Sequence, residues 1–179
     1  MDRSLVILVD EHDQPLGVSE KMEAHRKGEL HRAFSIFIFN KKGELLLQRR
    51  ALHKYHSGGL WTNTCCSHPL PDISLEEFAH IRLKEEMGFD APLKKIFDFL
   101  YRADMENGLI EHEFDHVLAG EYEGPISPDP EEVMDHEYVS LVQIEKALEM
   151  APQLYTAWFR MVFPRVKKWM ESKGLRHSE

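Results

Sequence analysis

Apolar and polar residues alternate along the chain in a pattern that predicts short strands separated by turns. Residues 5–9 form an apolar run that ends at the turn-rich segment 10–15. The runs 33–39 and 44–48 flank an Asn-Lys-Lys-Gly sequence, which is a hairpin signal, so we expect both runs to be central strands. Further strands are expected at 96–101, at 109–121 and near 137–139, the first two joined by a second hairpin.

The clearest helix signal covers residues 75–87. A capping box opens at Ser74, and Gly88 supplies the matching C-terminal stop. The apolar arc of this helix consists of Leu75, Phe78, Ala79 and Leu83. Arg82 and Glu86 fall in the middle of that arc, where charge is costly unless it is paired or bound. The two residues therefore form a plain ion pair, or the helix lines a site.

Three other helices are predicted, with weaker signals. Ser19 can cap a short helix that carries Lys21 and His25 on one face, because they are four residues apart. A second capping box predicts a helix over 141–150, and an aromatic-rich segment predicts a last helix over about 154–172. These elements combine into one α/β (α+β) domain spanning 1–179.

Composition and charge narrow the possible functions. The chain has 179 residues, 42% of them apolar, which suffices for one proper core. No apolar run reaches the about 20 residues of a membrane helix, and the N-terminus lacks a signal-peptide core. A net charge of -9 argues against a nucleic-acid partner. We expect a cytosolic monomer without a membrane contact, in which any anionic substrate meets local positive charge or metal.

The two cysteines of the chain are adjacent and precede a Ser-His-Pro sequence. In an extended segment Cys66 and His68 point to one side, while Cys65 and Ser67 point to the other. That geometry suits one reactive thiol beside a metal ligand or proton partner. The alternative is that both cysteines are ordinary buried small side chains.

Carboxylates alternate along the predicted strand 109–121. Glu111, Glu113 and Asp115 share one face, and Ile110, Phe114 and Leu118 share the other. The acidic face is either exposed to solvent or, if it is covered, requires a cation or a shared proton because neighbouring carboxylates repel each other.

A local basic cluster follows the second central strand in this acidic protein. Its members are Arg49, Arg50, His53, Lys54 and His56. The cluster fits an anion site, although a solvated loop would also account for it.

Several short segments together carry a family resemblance. They are Ala24-His25, Leu30-His31, Arg49-Arg50-Ala51-Leu52, Trp61-Thr62-Asn63-Thr64-Cys65-Cys66-Ser67-His68-Pro69, Tyr101-Arg102-Ala103, Glu111-His112-Glu113 and Glu132-Val133-Met134-Asp135. From about residue 5 to 158 the chain resembles the type 1 isopentenyl diphosphate isomerases, a branch of the Nudix superfamily. The segment 81–89 keeps the end of a Nudix helix but lacks the Arg-Glu opening and the upstream glycine of the hydrolases. This departure argues against pyrophosphate hydrolysis. Alignment on His68-Pro69 selects Cys66 as the reactive cysteine.

The resemblance implies a fold and a set of ligands. The fold is a Nudix-type α/β/α sandwich with a mixed sheet in a single domain, with the terminal helix covering the active site. One divalent metal, Zn, Mn or Mg, would be surrounded by His25, His31, His68, Glu111 and Glu113. Glu86 would help hold a Mg²⁺ that arrives with the diphosphate. The positive charge around the substrate would come from Lys21, Arg50, Lys54 and Arg82.

The resemblance also implies a reaction, the interconversion of isopentenyl and dimethylallyl diphosphates by a 1,3-allylic proton shift. An alkene is a poor base, so the site needs a positioned acid on one side and a base on the other. Glu113, with Tyr101 beside it, would protonate the terminal carbon, and the thiolate of Cys66 would remove the proton from C2. Trp158 would stabilise the intermediate carbocation. We expect Cys66 to have a lowered pKa.

Two rival classes share some of these residues. A Nudix-type diphosphate hydrolase would use the same fold and Mg²⁺, but it has no need for Cys66. A structural zinc site would use Cys65, Cys66 and His68, yet adjacent cysteines lack the usual spacing of zinc ligands.

Overall fold

The computed structural model describes residues 2–177, with side chains described through residue 173. The strands are β1 (Leu5–Val9), β2 (Pro15–Glu20), β3 (His31–Phe39), β4 (Leu45–Arg50), β5 (Trp61–Thr62), β6 (Cys65–Ser67), β7 (Lys94–Asp104), β8 (Ile110–Glu121) and β9 (Val133–Val139). The helices are α1 (Lys21–Lys27), α2 (Leu75–Met87), α3 (Leu141–Met150) and α4 (Ala157–His177), with short 3₁₀ turns at Glu106–Gly108 and Pro152–Leu154. Met1 and residues 178–179 of the expected domain lie outside the described part.

Strand β3 lies at the centre of a mixed sheet. It pairs in parallel with β8 over nine residues, from His31 opposite Glu113 to Phe39 opposite Glu121. Its other partners, β1, β4 and β6, are antiparallel. The parallel pairing therefore fixes the register of β3 against β8, the strand that carries the alternating carboxylates.

The predicted hairpin between β3 and β4 forms a turn but not a ladder. Phe39 and Leu45 are the one pair that joins the two strands within the described residues, after which β4 pairs with β5 and β9. The space between the strands is filled by Thr64, whose Oγ1 accepts from Ile38 N at 3.0 Å and donates to Leu46 O at 2.6 Å. The strands separate because the segment around β6 enters between them.

Alternation along β3 sends its side chains into two cores. Phe34, Ile36 and Ile38 pack with Phe78, Leu83 and Met87 of α2. Phe37 and Phe39 pack on the opposite face with Ile144 of α3 and Phe159, Val162 and Phe163 of α4. The sheet therefore lies between α2 on one face and α3 with α4 on the other, which confirms the predicted sandwich with a mixed sheet.

Helix α2 has the predicted bounds, and its ends show why. Ser74 Oγ accepts from Glu77 N at 3.1 Å, which satisfies one free N–H of the first turn. Gly88 ends the helix with φ 75°, in the left-handed region that glycine adopts without strain. A side chain at Gly88 would also meet the carbonyl oxygen of Ser127 at 2.2 Å.

Three local predictions were wrong in detail. Ser19 lies in β2, which the sequence did not indicate, and Glu20 caps α1 by accepting from Glu23 N at 2.9 Å. Strand β9 begins at Val133, earlier than predicted, because β4 supplies a partner along its whole length. Helix α4 begins at Ala157 rather than near residue 154, since the preceding 3₁₀ turn is a separate element. Among the described residues, no helix is long and apolar enough to cross a membrane.

Candidate active site

A cavity of about 280 Å³ is lined by residues from α1, α2, the loop after β4 and the first turn of α4. Most of the residues singled out in the sequence line it, namely Lys21, Arg50, Lys54, Cys66, His68, Arg82, Glu86, Tyr101, Glu111, Glu113 and Trp158. His25 and His31 are fully buried and contact the carboxylates of the cavity wall. The fold thus brings the predicted residues to one place.

The acidic face of β8 is covered. Glu111 is 3% exposed, Glu113 6% and Asp115 1%, so the interpretation as a wet sheet face is wrong. Burial and the nearby Glu113 raise the pKa of Asp115 well above its usual range, which favours a neutral carboxyl. Ser35 Oγ donates to Asp115 Oδ2 at 2.6 Å. A neutral carboxyl at Asp115 would reduce the repulsion expected on a covered acidic face.

Five side chains form a compact group of metal-ligand type. Atoms of His25, His31, His68, Glu111 and Glu113 all lie within 4.8 Å of one another. His68 Nε2 lies 2.7 Å from Glu113 Oε2, and His31 Nε2 lies 3.1 Å from the same oxygen. His25 Nε2 lies 3.4 Å from Glu111 Oε1. The group contains the five residues predicted as metal ligands, and it does not include Glu86.

Backbone carbonyls orient two of these imidazoles. His25 Nδ1 lies 2.7 Å from Lys21 O, and His31 Nδ1 lies 2.9 Å from Glu29 O. An Nδ1–H that donates to a carbonyl leaves Nε2 as the ligand atom of the neutral ring. Those Nε2 atoms face carboxylates, so each contact requires a second proton or a cation.

Two buried atoms of this group lack a hydrogen-bond partner, as expected for atoms that bind a cation. His25 Nε2 and Glu111 Oε2 are buried and form no hydrogen bond. Buried polar atoms without partners are rare and costly. Two carboxylates and three imidazoles at this spacing can hold a divalent metal ion, which would satisfy these atoms.

Proton positions in the group follow from burial and hydrogen bonding. Burial would raise the pKa of Glu113, but hydrogen bonds from His31 and His68 outweigh it and hold this pKa well below its ordinary value. Burial would lower the pKa of His25 and His31, yet their carboxylate neighbours raise it. Tyr101 O–H also donates to Glu113. Glu113 is thus an anion that accepts from a phenol and two imidazoles.

Cys66 and Cys65 point to opposite faces, as predicted. Cys66 pairs with Ser35 across the β3–β6 ladder, and its Sγ lies 3.5 Å from Ser35 Oγ. Cys65 is fully buried in the core beneath α2. Cys66 and His68 therefore share the side that faces the cavity.

The expected lowered pKa of Cys66 was wrong for the resting protein. Burial, followed by the nearby Asp115, raises the pKa of Cys66 to about 12. Its thiol donates to Asn63 Oδ1 at 3.2 Å. The sequence suggested a cationic environment, but the positive charges lie in another part of the cavity.

Four cationic side chains lie along that other part. Lys54 Nζ contacts Glu132 at 2.6 Å, and Arg82 contacts Glu86 at 2.5 Å. Burial and the nearby Lys54 lower the pKa of Lys21, a sign that cations are crowded here. The Nε atoms of Arg50 and Arg82 are buried without partners. The solvated-loop interpretation fails for Arg50 and Lys54 but holds for His53, whose side chain is 61% exposed.

Glu86 and Trp158 complete the wall of the cavity. Glu86 is 5% exposed and accepts from Gln48 Nε2 at 3.0 Å as well as from Arg82. Both interpretations of the charged pair on α2 are therefore correct, since an ion pair forms and the helix lines a cavity. Trp158, in the first turn of α4, is 4% exposed and has the Arg50 guanidinium 5.3 Å from its ring centre.

Sequence reasoning missed three residues of the site. His56 is buried, and its Nε2 lies 2.5 Å from Glu111 Oε1. The ring of Tyr55 stacks edge-on against His56 and carries Lys21 Nζ 5.1 Å from its centre. Asn63 is fully buried and contacts Cys66. His56 was noted as part of the basic cluster, but no local signal separates it from the exposed His53.

Comparisons with known proteins agree with this geometry. The model of the NUDIX domain matches residues 29–159. An isopentenyl-diphosphate Delta-isomerase 2 of Photorhabdus laumondii is 51% identical over 158 residues, covering 88% of this chain and 89% of its own length. An isopentenyl-diphosphate Delta-isomerase of Pectobacterium atrosepticum is 50% identical over 167 residues, 93% of each chain.

Solved structures share the fold at lower identity. The DR0079 protein of Deinococcus radiodurans superposes with a TM-score of 0.76 at 15% identity, over 90% of this chain and 98% of its own. A MutT protein of Methanosarcina mazei Go1 gives a TM-score of 0.64 at 25% identity, over 78% of this chain and 94% of its own. These likenesses show the Nudix fold, and the relatives at half identity show the branch. The chain belongs to the type 1 isopentenyl-diphosphate delta-isomerases of the Nudix superfamily.

Proposed function

We propose that this isomerase interconverts isopentenyl and dimethylallyl diphosphates by using Glu113 and Cys66 as the two proton-transfer groups. The observation that carries the proposal is that one cavity wall presents a carboxylate hydrogen-bonded to Tyr101 O–H and also a thiol. A 1,3-allylic shift needs one group to deliver a proton and another to remove one. A diphosphate hydrolase would have no use for the thiol.

Glu113 acts at the terminal carbon in this proposal. Because Glu113 is an anion in the resting protein, it must first take up a proton; it then delivers this proton to C4 beside the Tyr101 O–H, and a tertiary carbocation forms. Cys66, which must be a thiolate at this step, then takes the proton from C2 and becomes a thiol, and the double bond moves to its allylic position. Glu113 has become a carboxylate and Cys66 a neutral thiol, which is the resting state of both groups, so one proton must pass from the thiol to Glu113 through solvent before the next forward turnover.

Trp158 protects the intermediate. Its ring lines the same cavity, and an aromatic face stabilises a desolvated cation by about 2 kcal/mol or more. Burial of the indole also excludes water, which would trap the carbocation as an alcohol.

The remaining groups hold ligands. We assign the group of His25, His31, His68, Glu111 and Glu113 to one Zn, Mn or Mg ion, which when bound would withdraw electron density from Glu113. Lys21, Arg50, Lys54 and Arg82 line the cavity and would bind the diphosphate, and Glu86 would help to hold the Mg²⁺ that accompanies it. The unpartnered Nε atoms of Arg50 and Arg82 support an anion at this place.

The setting of the enzyme is also a proposal. A net charge of -9 argues against a nucleic-acid partner, and the four cationic side chains of the cavity would supply the local positive charge for a small-molecule diphosphate substrate. Two free cysteines, Cys66 at the cavity and Cys65 in the core, fit a reducing compartment, so we assign the enzyme to the cytosol, as a monomer without a membrane contact.

Incubation with isopentenyl diphosphate and Mg²⁺ in D₂O tests the reaction. We expect allylic product and solvent deuterium in the organic fraction, with no release of phosphate. The Cys66→Ala variant is the control, because it keeps the Mg²⁺ and diphosphate groups and loses the base. Release of phosphate without allylic product would instead identify a hydrolase.

A further inference from the structure

Asn63 connects elements of the site without lining the cavity. Its carboxamide is fully buried, and its Nδ2 donates to Ile36 O at 3.1 Å and to Cys65 O at 3.0 Å. Both partners are backbone carbonyls, which can only accept. These two hydrogen bonds therefore fix the plane of the amide. They also require that Oδ1, rather than Nδ2, points away from the two carbonyls.

The oxygen of this amide accepts hydrogen bonds from the two side chains that the proposed function assigns to the C2 proton and the carbocation. Cys66 Sγ donates to Asn63 Oδ1 at 3.2 Å, and Trp158 Nε1 donates to the same atom at 3.3 Å. The thiol comes from β6 and the indole from α4, which are distant in sequence. The Cys66 thiol and the Trp158 indole thus donate hydrogen bonds to one acceptor atom, Asn63 Oδ1.

A third hydrogen-bond donor to Asn63 Oδ1, the Thr62 hydroxyl, also contacts the residue that precedes α4. Thr62 Oγ1 donates to Asn63 Oδ1 at 2.9 Å and lies 2.8 Å from Thr156 Oγ1. Thr156 precedes the first residue of α4, and its N–H donates to Trp61 O at 3.0 Å. The hydroxyls can donate in one direction, from Thr156 to Thr62 and from Thr62 to Asn63, so each of these donors is satisfied.

We propose that Asn63 is a positioning residue whose carboxamide sets the placement of the Cys66 thiol relative to the Trp158 indole. The inference rests on the proposed function. A displacement of about 1 Å at a reacting group can cost on the order of 100-fold in rate, so a shared rigid acceptor has a direct effect on turnover. Diphosphate binding does not depend on Asn63, because the cations lie on other side chains.

The ratio of dimethylallyl diphosphate to C4-labelled isopentenyl diphosphate distinguishes a positioning role of Asn63 from an effect on stability alone. After Glu113 protonates C4 in D₂O, the carbocation either loses a C2 proton to Cys66 or returns a proton from the methyl group to Glu113. The first path gives dimethylallyl diphosphate, and the second gives isopentenyl diphosphate labelled at C4. Asn63 contacts the thiol and not Glu113, so its loss impairs the first path selectively.

The experiment compares Asn63→Ala with Thr64→Val. Thr64 is the next residue and is fully buried, and its hydroxyl contacts Ile38 N and Leu46 O. Its backbone carbonyl accepts from Gln48 Nε2 of the cavity wall at 2.8 Å, a contact that valine keeps. We expect both variants to lower the urea midpoint. Asn63→Ala should lose on the order of 100-fold in kcat with KM within about threefold, and labelled substrate should increase relative to product. Thr64→Val should keep the wild-type ratio.

Several outcomes would overturn the inference. They are a kcat of Asn63→Ala close to wild type, a wild-type ratio of labelled substrate to product, or the same change of ratio in Thr64→Val. If Asn63→Ala is recovered unfolded, Asn63→Asp keeps the shape of the side chain but loses the donors to Ile36 O and Cys65 O. We expect the same change of ratio in that variant, and an unchanged ratio would overturn the inference. Failure of wild-type protein to form allylic product would instead reject the proposed function.

Discussion

Cys65 and Cys66 are neighbours in the chain with different environments. Cys65 lies in the core between the sheet and α2, where its sulfur acts as a small apolar group. Cys66 is partly exposed to the cavity and hydrogen-bonded to Asn63. The alternation of side chains in β6 separates the two roles, and a one-residue shift of register would exchange them.

We expect Cys66→Ala to abolish turnover and Cys65→Ala to retain most of it. Loss of an acid or base group costs on the order of 10³-fold or more, whereas a small core truncation costs about 1 kcal/mol of stability. Kinetics and urea unfolding of both variants measure the two effects. Similar activity in the two variants would show that the cysteines are interchangeable packing residues.

Alkylation tests the environment of the same thiol. With its pKa raised to about 12, Cys66 is a neutral thiol at pH 8, so iodoacetamide should react slowly with the resting protein. The rate should still be rising at pH 10, because the thiolate fraction grows up to the pKa. Peptide mapping with and without substrate identifies the labelled residue. Labelling of Cys65 that substrate prevents would contradict the assignment of Cys66.

Helix α2 packs some of its side chains into the core and lines the cavity with others. Phe78, Ala79 and Leu83 pack into the core, while Arg82 and Glu86 reach the cavity from the same arc. The helix tolerates these charges because Arg82 contacts Glu86 at 2.5 Å and Glu85 at 2.7 Å. Its caps fix which residues reach the cavity, since a shift of one position rotates the face by about 100°.

Replacing Glu86 by Gln should raise the Mg²⁺ concentration required for activity on the order of 10-fold or more, and it should leave the histidine-rich site filled. The amide keeps the shape of the side chain and removes the charge, and the proposed metal site does not include residue 86. Glu85→Gln is the matched control, because Glu85 is the adjacent, more exposed carboxylate that also contacts Arg82. Metal content after dialysis is the second measurement. Loss of the tightly held metal in Glu86→Gln would contradict two separate sites.

At the scale of the whole molecule, the proposed metal site joins distant segments of the chain. His25 belongs to α1, His31 to β3, Glu111 and Glu113 to β8, and His68 follows β6. The register between His31 and Glu113 aligns two of these segments before any ion binds. A bound cation would therefore stabilise the relative placement of α1 and the sheet.

Removing the metal with a chelator should lower the thermal midpoint by about 10 °C. A ligand present at about 1,000 times its Kd adds about 4 kcal/mol to the free energy of unfolding, and each kcal/mol shifts the midpoint of a protein of this size by about 2–4 °C. Calorimetry with metal analysis before and after chelation measures the shift. His25→Ala is the control, because it removes one ligand and should reduce the shift. An unchanged midpoint in fully stripped wild-type protein would reject the site.

Local sequence determined the elements that depend on a few neighbouring residues. The bounds of α2 follow from Ser74 and Gly88, and the opposite orientations of Cys65 and Cys66 follow from the geometry of an extended chain. The family resemblance then selected five residues as metal ligands, and the structure brings atoms of their side chains within 4.8 Å of one another. These features were readable because their causes lie within one turn or one strand, or within one recurring motif.

Tertiary structure alone decided the environment of those residues. The parallel pairing of β3 with β8 sets His31 beside Glu113, and the docking of α4 brings Trp158 to Asn63. Burial beside Asp115 makes Cys66 a weak acid, contrary to the prediction from sequence. His56 reaches Glu111 whereas His53 stays in solvent, although both lie in one basic loop. Such outcomes depend on desolvation and on contacts between distant segments, and neither is encoded in the spacing of residues along the chain.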